Sequence, residues 1–148
     1  MTTRVRRVRE RPATEYRATS DEPSWVTREI VDVLHDRSLM LYGGLAGVNG
    51  EHLIESALAR PRNLFAYVGG DLPRLAAAYA FGLAKNDGYR DGNKRTAFIA
   101  AAVFLDMNGL ELVADEQDAL VTMLELATGI VTEDAFAEWL RAHAAPRG

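Results

Sequence analysis

No cysteine occurs among the 148 residues, so the chain has no disulfide framework, no thiol nucleophile and no thiolate metal site. Histidine is almost as scarce. The three copies, His35, His52 and His143, stand at no metal-ligand spacing such as H-x3-H; the first two fall within helical patterns and are expected to be structural, and the last belongs to a C-terminus expected to fray. Long apolar runs are missing as well: the two longest, residues 75–84 and 97–105, are about half the ~18 residues needed to span a bilayer. No basic, apolar, small-residue signal pattern opens the chain, and a soluble, cytoplasmic protein without a membrane partner is expected. No stretch alternates with period two for long enough to argue a sheet, and only residues 110–113 read as extended.

What is present is apolar material for one sizeable core, 48% hydrophobic residues in a length typical of a single domain. The net charge of −4 is unevenly spread. Residues 1–23 carry six Arg against four acidic residues, or +2, which leaves −6 on residues 24–148 and argues against a general nucleic-acid-binding face there. The chain therefore divides into a basic N-terminal arm, residues 1–23, expected to be flexible, and a folded domain, residues 24–148. For the arm, contact with nucleic acid, contact with an acidic partner and an added strand all stay open beside a merely solvated tail.

Helical spacing organises the domain. Val26, Ile30, Val33 and Leu34 predict a first helix capped by Ser24 and running to about Leu41, before Tyr42, Gly43 and Gly44 stop it. A glycine-rich, flexible loop should follow, then a second helix through Leu53, Ile54, Ala57 and Leu58, closed by Pro61. Asp71 caps a helix beginning near Leu72-Pro73, alanine-rich and apolar on most faces, hence central. A second buried helix spans residues 93–107, where Asn108-Gly109 supplies a left-handed stop. Patterns over residues 115–127 and 132–143, the latter capped by Thr132, complete six or seven helices, and the expected architecture is an all-α bundle around a central helix hairpin. Trp25 and Trp139, near the ends of the domain, should line the core or a groove.

The hairpin's connection, KNDGYRDGNKRTAF over residues 85–98, is unusually polar and rich in glycine. A helix start exposes backbone N–H groups and the positive end of the helix dipole, so Gly92, Asn93 and Lys94 at the mouth of the second buried helix form a natural anion cradle. Lys94 adds a point charge and Arg95 a bidentate fork, both suited to phosphate oxygens. Asp91 offers a hard carboxylate of the kind that phosphate-bound Mg²⁺ prefers. An ordinary connection with solvated basic residues accounts for the same composition, and these residues alone leave both readings open.

The same stretch resembles the signature loop of the Fic/Doc superfamily, and within it the Doc (death-on-curing) toxins, whose pattern is His-x-Phe-x-Asp-(Gly/Ala)-Asn-Lys-Arg-Thr. LHDRSLMLYGG, AAAVFLDMNG and ELATGIVTEDAFAEWLR resemble the other helices of that family, so the likeness covers about residues 24–143. The resemblance implies that Asp91 is the magnesium and phosphate ligand, Gly92 and Asn93 the anion nest, and Lys94 and Arg95 the phosphate contacts. Tyr89 takes the place of the aromatic anchor, and Asp87, Asn93 and Lys94 make up the catalytic set. Residues 42–50, opening with Tyr42, Gly43 and Gly44, match the flap that lines the target's approach. Fic-type AMP transferases read Asn-Gly-Arg with a second Arg three places on, whereas this chain has Asn93-Lys94-Arg95 and then Phe98. Both departures favour the Doc branch: phosphoryl transfer from Mg-ATP to a hydroxyl of a protein, with elongation factor Tu as the implied target. AMP transfer, and a non-catalytic module that only binds a partner helix, remain the alternatives.

The family's base histidine falls on Asp87. An ordinary Asp, with a pKa of ~3.9, is about 2.6 units more acidic than His and a weaker proton acceptor, and its carboxylate reaches less far. Three readings stay open: a tuned carboxylate base, a toxin inactivated by a one-base codon change, and a degenerate binding module. The family's cis-acting inhibitory pattern, Ser/Thr-x-x-x-Glu-Gly/Asn, does not occur here, which implies regulation in trans by an antitoxin segment that folds into a groove as a helix.

Overall fold

The computed structural model describes residues 21–147, so most of the expected basic arm lies outside the described residues. Among the described residues, six helices and two short strands follow in order: α1 (Arg28–Tyr42), α2 (Glu51–Tyr67), α3 (Leu72–Asn86), α4 (Asn93–Met107), β1 (Leu110–Leu112), α5 (Glu116–Thr128), α6 (Glu133–His143) and β2 (Ala144–Pro146). The fold is all-α around the α3–α4 hairpin, as the apolar patterning implies. Helix α3 packs on α2, α4 and α6, and α4 on α1. Their facing surfaces are small: Ala76, Ala77, Ala80, Ala97, Ala100 and Ala101 are all fully buried, which lets the backbones approach closely. Tyr79, Phe104 and Trp25 fill the remaining volume. The Tyr79 and Phe104 rings lie 5.1 Å apart, and Trp25 stacks on Phe104 at 5.8 Å. Each such side chain contributes roughly 1.5–3 kcal/mol on burial.

Several local signals act as the sequence implies. Asp71 caps α3 by accepting the Arg74 N–H at 3.1 Å, Thr132 caps α6, and Gly129 in the left-handed region ends α5. Others are overridden by packing. Ser24 does not cap α1: its N–H and carbonyl are both held by the Asn108 side chain, at 2.9 and 3.0 Å, and Val26 is held at both main-chain groups by the Tyr79 hydroxyl. The chain therefore stays extended there, and Thr27 is the cap. Pro61 does not close α2 either. It sits buried inside a helix that continues to Tyr67, because losing one backbone hydrogen bond is offset by packing Leu64 and Phe65 on the core. The expected extended segment is β1, which pairs antiparallel with β2, with Glu111 opposite Ala145. That pairing corrects the expectation of a frayed end. The His143 carbonyl accepts the Val113 N–H at 2.8 Å, and its ring stacks on Trp139 at 4.3 Å. No helix among the described residues is long and apolar enough to cross a membrane.

Asp71 joins α3 to α6, since Arg141 donates to both of its oxygens at 2.7 and 2.8 Å. Burial alone would raise this carboxyl, but the hydrogen bonds and charge of Arg141, with the Arg74 amide, outweigh it and hold the group below the usual carboxylate range. A depressed folded-state pKa stabilises above the unfolded value of ~3.9 and is lost as pH falls through the folded value. Asp71→Ala should therefore cost about 1–2 kcal/mol in urea unfolding at pH 7. The gap from wild type should close progressively below pH ~4; a gap that stays constant to pH 2 would rule this ion pair out as its source.

Candidate active site

The connection between α3 and α4 is six residues long, and each is committed. Asp87 ends α3 in the left-handed conformation, at φ 50° and ψ 46°, the one non-glycine residue with positive φ among those described. Asp, Asn and His tolerate this region best, so the position suits both the residue present and the histidine of the resemblance. Its side chain is exposed, and its carbonyl accepts the Asn49 Nδ2 at 3.0 Å. Gly88 follows because the turn lies directly on α2: a Cβ there would come within 2.5 Å of Ile54 Cγ1 and 3.1 Å of the Ile54 nitrogen. Tyr89 is buried. Its ring stacks on His35 at 3.8 Å, and its hydroxyl donates to Asp32 Oδ1 at 2.5 Å, one turn earlier on α1.

Asp91 and Gly92 form the lip of α4. Gly92, at φ 78° and ψ 16°, occupies the N-cap position with no side chain to bond the free N–H groups, so the first turn of α4 keeps donors for an outside acceptor. Asp91 Oδ2 accepts the Leu45 N–H at 3.0 Å and Oδ1 the Gly92 N–H at 3.0 Å. These two amides hold the Asp91 carboxyl below the usual carboxylate range. It is therefore ionised near neutrality and, being exposed, keeps lone pairs for a hard cation. No group of three or more His, Cys, Asp or Glu side chains that could hold a metal is present among the described residues. A magnesium ion at Asp91 would take its other ligands from phosphate and water, the mode Mg²⁺ prefers.

The loop after α1 is stitched to this turn rather than left flexible as its glycines suggest. Val48 bridges Tyr89, the Asn49 N–H donates to the Gly88 carbonyl at 2.8 Å, and the Arg90 N–H donates to the Gly47 carbonyl at 2.9 Å. Asn49 Nδ2 also reaches the Tyr89 carbonyl at 3.1 Å. Tyr42, Asp91, Gly92, Asn93, Lys94 and Arg95 line one wall of a groove of about 620 Å³, whose opposite wall is α5. That volume is in the range of small-molecule sites. Asp87, Gly43 and Gly44 lie outside its lining. Lys94 is exposed, and the Arg95 guanidinium lies over the Tyr42 ring, 4.9 Å from its centre. The Asn93 side chain is turned inward: Oδ1 accepts the Tyr89 N–H at 3.0 Å and Nδ2 donates to the Tyr89 carbonyl at 2.8 Å. What Asn93 offers an anion is its backbone N–H. Phe98 is half-buried in the groove wall.

Three contributors escaped the sequence reading. Asp32, His35 and Asn49 hold the turn from α1 and from the loop that follows it; the spacing i, i+3, i+7 of Asp32, His35 and Leu39 on one face of α1 was the available signal. The family model described as Fic/DOC family matches residues 25–105. "Protein kinase doc" of Escherichia phage P1 is 32% identical over 117 residues, covering 78% of this chain and 92% of that protein. "Toxin Doc" of Mycolicibacterium smegmatis is 44% identical over 87 residues, covering 57% of this chain and 65% of that protein.

The Gly88 contact yields a steric test. Gly88→Ala should lower stability by about 1–3 kcal/mol, as overpacking does. Exposed Arg90→Ala should stay within about 0.5 kcal/mol. Equal urea midpoints for Gly88→Ala and wild type would mean that the turn does not rest on α2 as described.

Proposed function

This chain belongs to the Fic/DOC family, and on that premise we propose that it is the toxin of a toxin–antitoxin pair, a Doc-type protein phosphotransferase impaired by Asp87. The observation that carries this reading is the lip of α4: an ionised Asp91, a left-handed Gly92 and the free N–H groups of the first turn, with Lys94 and Arg95, along one groove wall. Phosphate is the ligand class for which this set is suited. Mg-ATP, when bound, would supply the transferable phosphoryl group and a metal charge to neutralise phosphate oxygens. Asp91 would hold the cation, the amides of Asn93, Lys94 and Arg95 would face the phosphates, and Lys94 would counter charge developing during transfer. Phe98 supports phosphoryl over AMP transfer, since it fills with an apolar ring the position where AMP transferases carry a second arginine.

Asp87 would have to accept the proton of the target hydroxyl. It stands at the flap side of the turn, outside the groove lining, with a short side chain, and these features support reduced activity. The target is a hydroxyl-bearing protein, elongation factor Tu by family resemblance, approached along the flap. An antitoxin helix is the trans regulator, and the apolar side chains of Phe98, Leu120 and Leu124 in the groove suit one face of such a helix.

Asp87→His should fold, because His tolerates left-handed backbone and the Asn49 contact uses only the main-chain carbonyl. Incubated with cell extract, this variant should move label from γ-labelled ATP to a protein about 10²–10⁴-fold faster than the Asp87 chain, and should arrest growth on induction. Label from α-labelled ATP instead would assign AMP transfer. Equal rates for the two chains would make Asp87 a competent base, and a folded variant that transfers neither label would leave only a binding module.

A further inference from the structure

His35 is buried in α1, yet it touches three residues of the signature turn. Its Nε2 lies 2.8 Å from the Asp91 carbonyl oxygen, its ring stacks on Tyr89 at an interplanar angle of 12°, and Cδ2 and Nε2 lie 3.7 Å from where a Cβ on Gly92 would stand. A carbonyl only accepts, so Nε2 carries the proton in this contact whatever the state of Nδ1, which lies 4.0 Å from Asp36 Oδ1. The Asp91 carbonyl and the Gly92 N–H share one trans peptide plane and point in opposite directions. Anchoring the carbonyl inward on His35 therefore turns the Gly92 N–H outward, to the side where Asp91 Oδ1 now accepts it. Glycine lacks the Cβ that would otherwise restrict rotation of this peptide, so the orientation needs an external hold.

We propose that His35 is a positioning residue for the phosphate cradle, its Nε2–H fixing the Asp91–Gly92 peptide so that the Gly92 N–H holds the Asp91 carboxylate in place and the α4 N-terminus faces the ligand. The role rests on the function proposed above and deepens it: the hold is on the free protein, before any ligand arrives. It acts through the hydrogen bond rather than through ring packing on Tyr89, and two substitutions separate the contributions. His35→Phe keeps an aromatic ring on Tyr89 and removes the donor; His35→Gln keeps an amide donor near the Nε2 position and removes the ring.

The test is calorimetric titration of Mg-ATP into the wild-type chain and both variants, with circular dichroism melts of each, and ¹⁵N NMR of the wild-type histidines. The expected result is binding about tenfold weaker for His35→Phe, the scale of one lost hydrogen bond, and within about threefold of wild type for His35→Gln. In the Asp87→His background, KM should rise with little change in kcat. Binding by His35→Phe equal to wild type, or equal losses in both variants, overturns the proposal. A His35 ring protonated only at Nδ1 overturns it without any variant having to fold. Wild type that binds no Mg-ATP overturns the function proposed above and this inference with it.

Discussion

The close approach of α3 and α4 constrains everything built on their connection. Two helices rich in buried alanine pack along their length, with Tyr79 against Phe104, so the six residues that join them are tightly constrained. The turn must leave α3 in a left-handed step at Asp87, pass over Ile54 without a side chain at Gly88, and enter α4 through a second left-handed step at Gly92. A hairpin joined this tightly presents the start of a buried helix, with its free N–H groups, at a fixed place on the surface. The anion-binding character of the lip is a consequence of helix geometry before any basic residue is counted.

Around that lip the protein adds supports rather than further ligands. Helix α1 holds the turn through Asp32 and His35; the loop after α1 holds it through Asn49 and the Val48 bridge; the Asn93 side chain bonds the Tyr89 backbone. Asp91 is the exception, since its carboxylate both ties down Leu45 and remains exposed and ionised. This division suits a site whose backbone amides meet the ligand, because amides can be aimed only by fixing the main chain.

Much of this was legible in the sequence where short-range chemistry decides. The Asp71 and Thr132 caps, the proline at the start of α3, the Asn108-Gly109 stop and the apolar patterning of α3 and α4 each rest on residues a few positions apart. The all-α class followed from the same kind of signal, whereas the motif at residues 87–95 was singled out by its resemblance to a family loop. Long-range partners were not legible. Ser24 cedes its capping role because Asn108 lies beside it, Pro61 is tolerated because Leu64 and Phe65 have a core to bury in, and β2 forms because β1 offers it an edge. His35 belongs with these. Its spacing from Asp32 and Leu39 marks a shared helix face, but not that the turn 56 residues later lies against its ring.

The measurement that bears most directly on this account is a ¹H–¹⁵N correlation spectrum of the wild-type chain during titration with Mg-ATP, which needs no turnover and is indifferent to the strength of Asp87 as a base. The account predicts that the amide resonances of Gly92, Asn93, Lys94 and Arg95 shift first and most, with Leu45 following as Asp91 takes on a cation. Saturating Mg-ATP that leaves those amides in place, or shifts only resonances remote from the lip of α4, would contradict it.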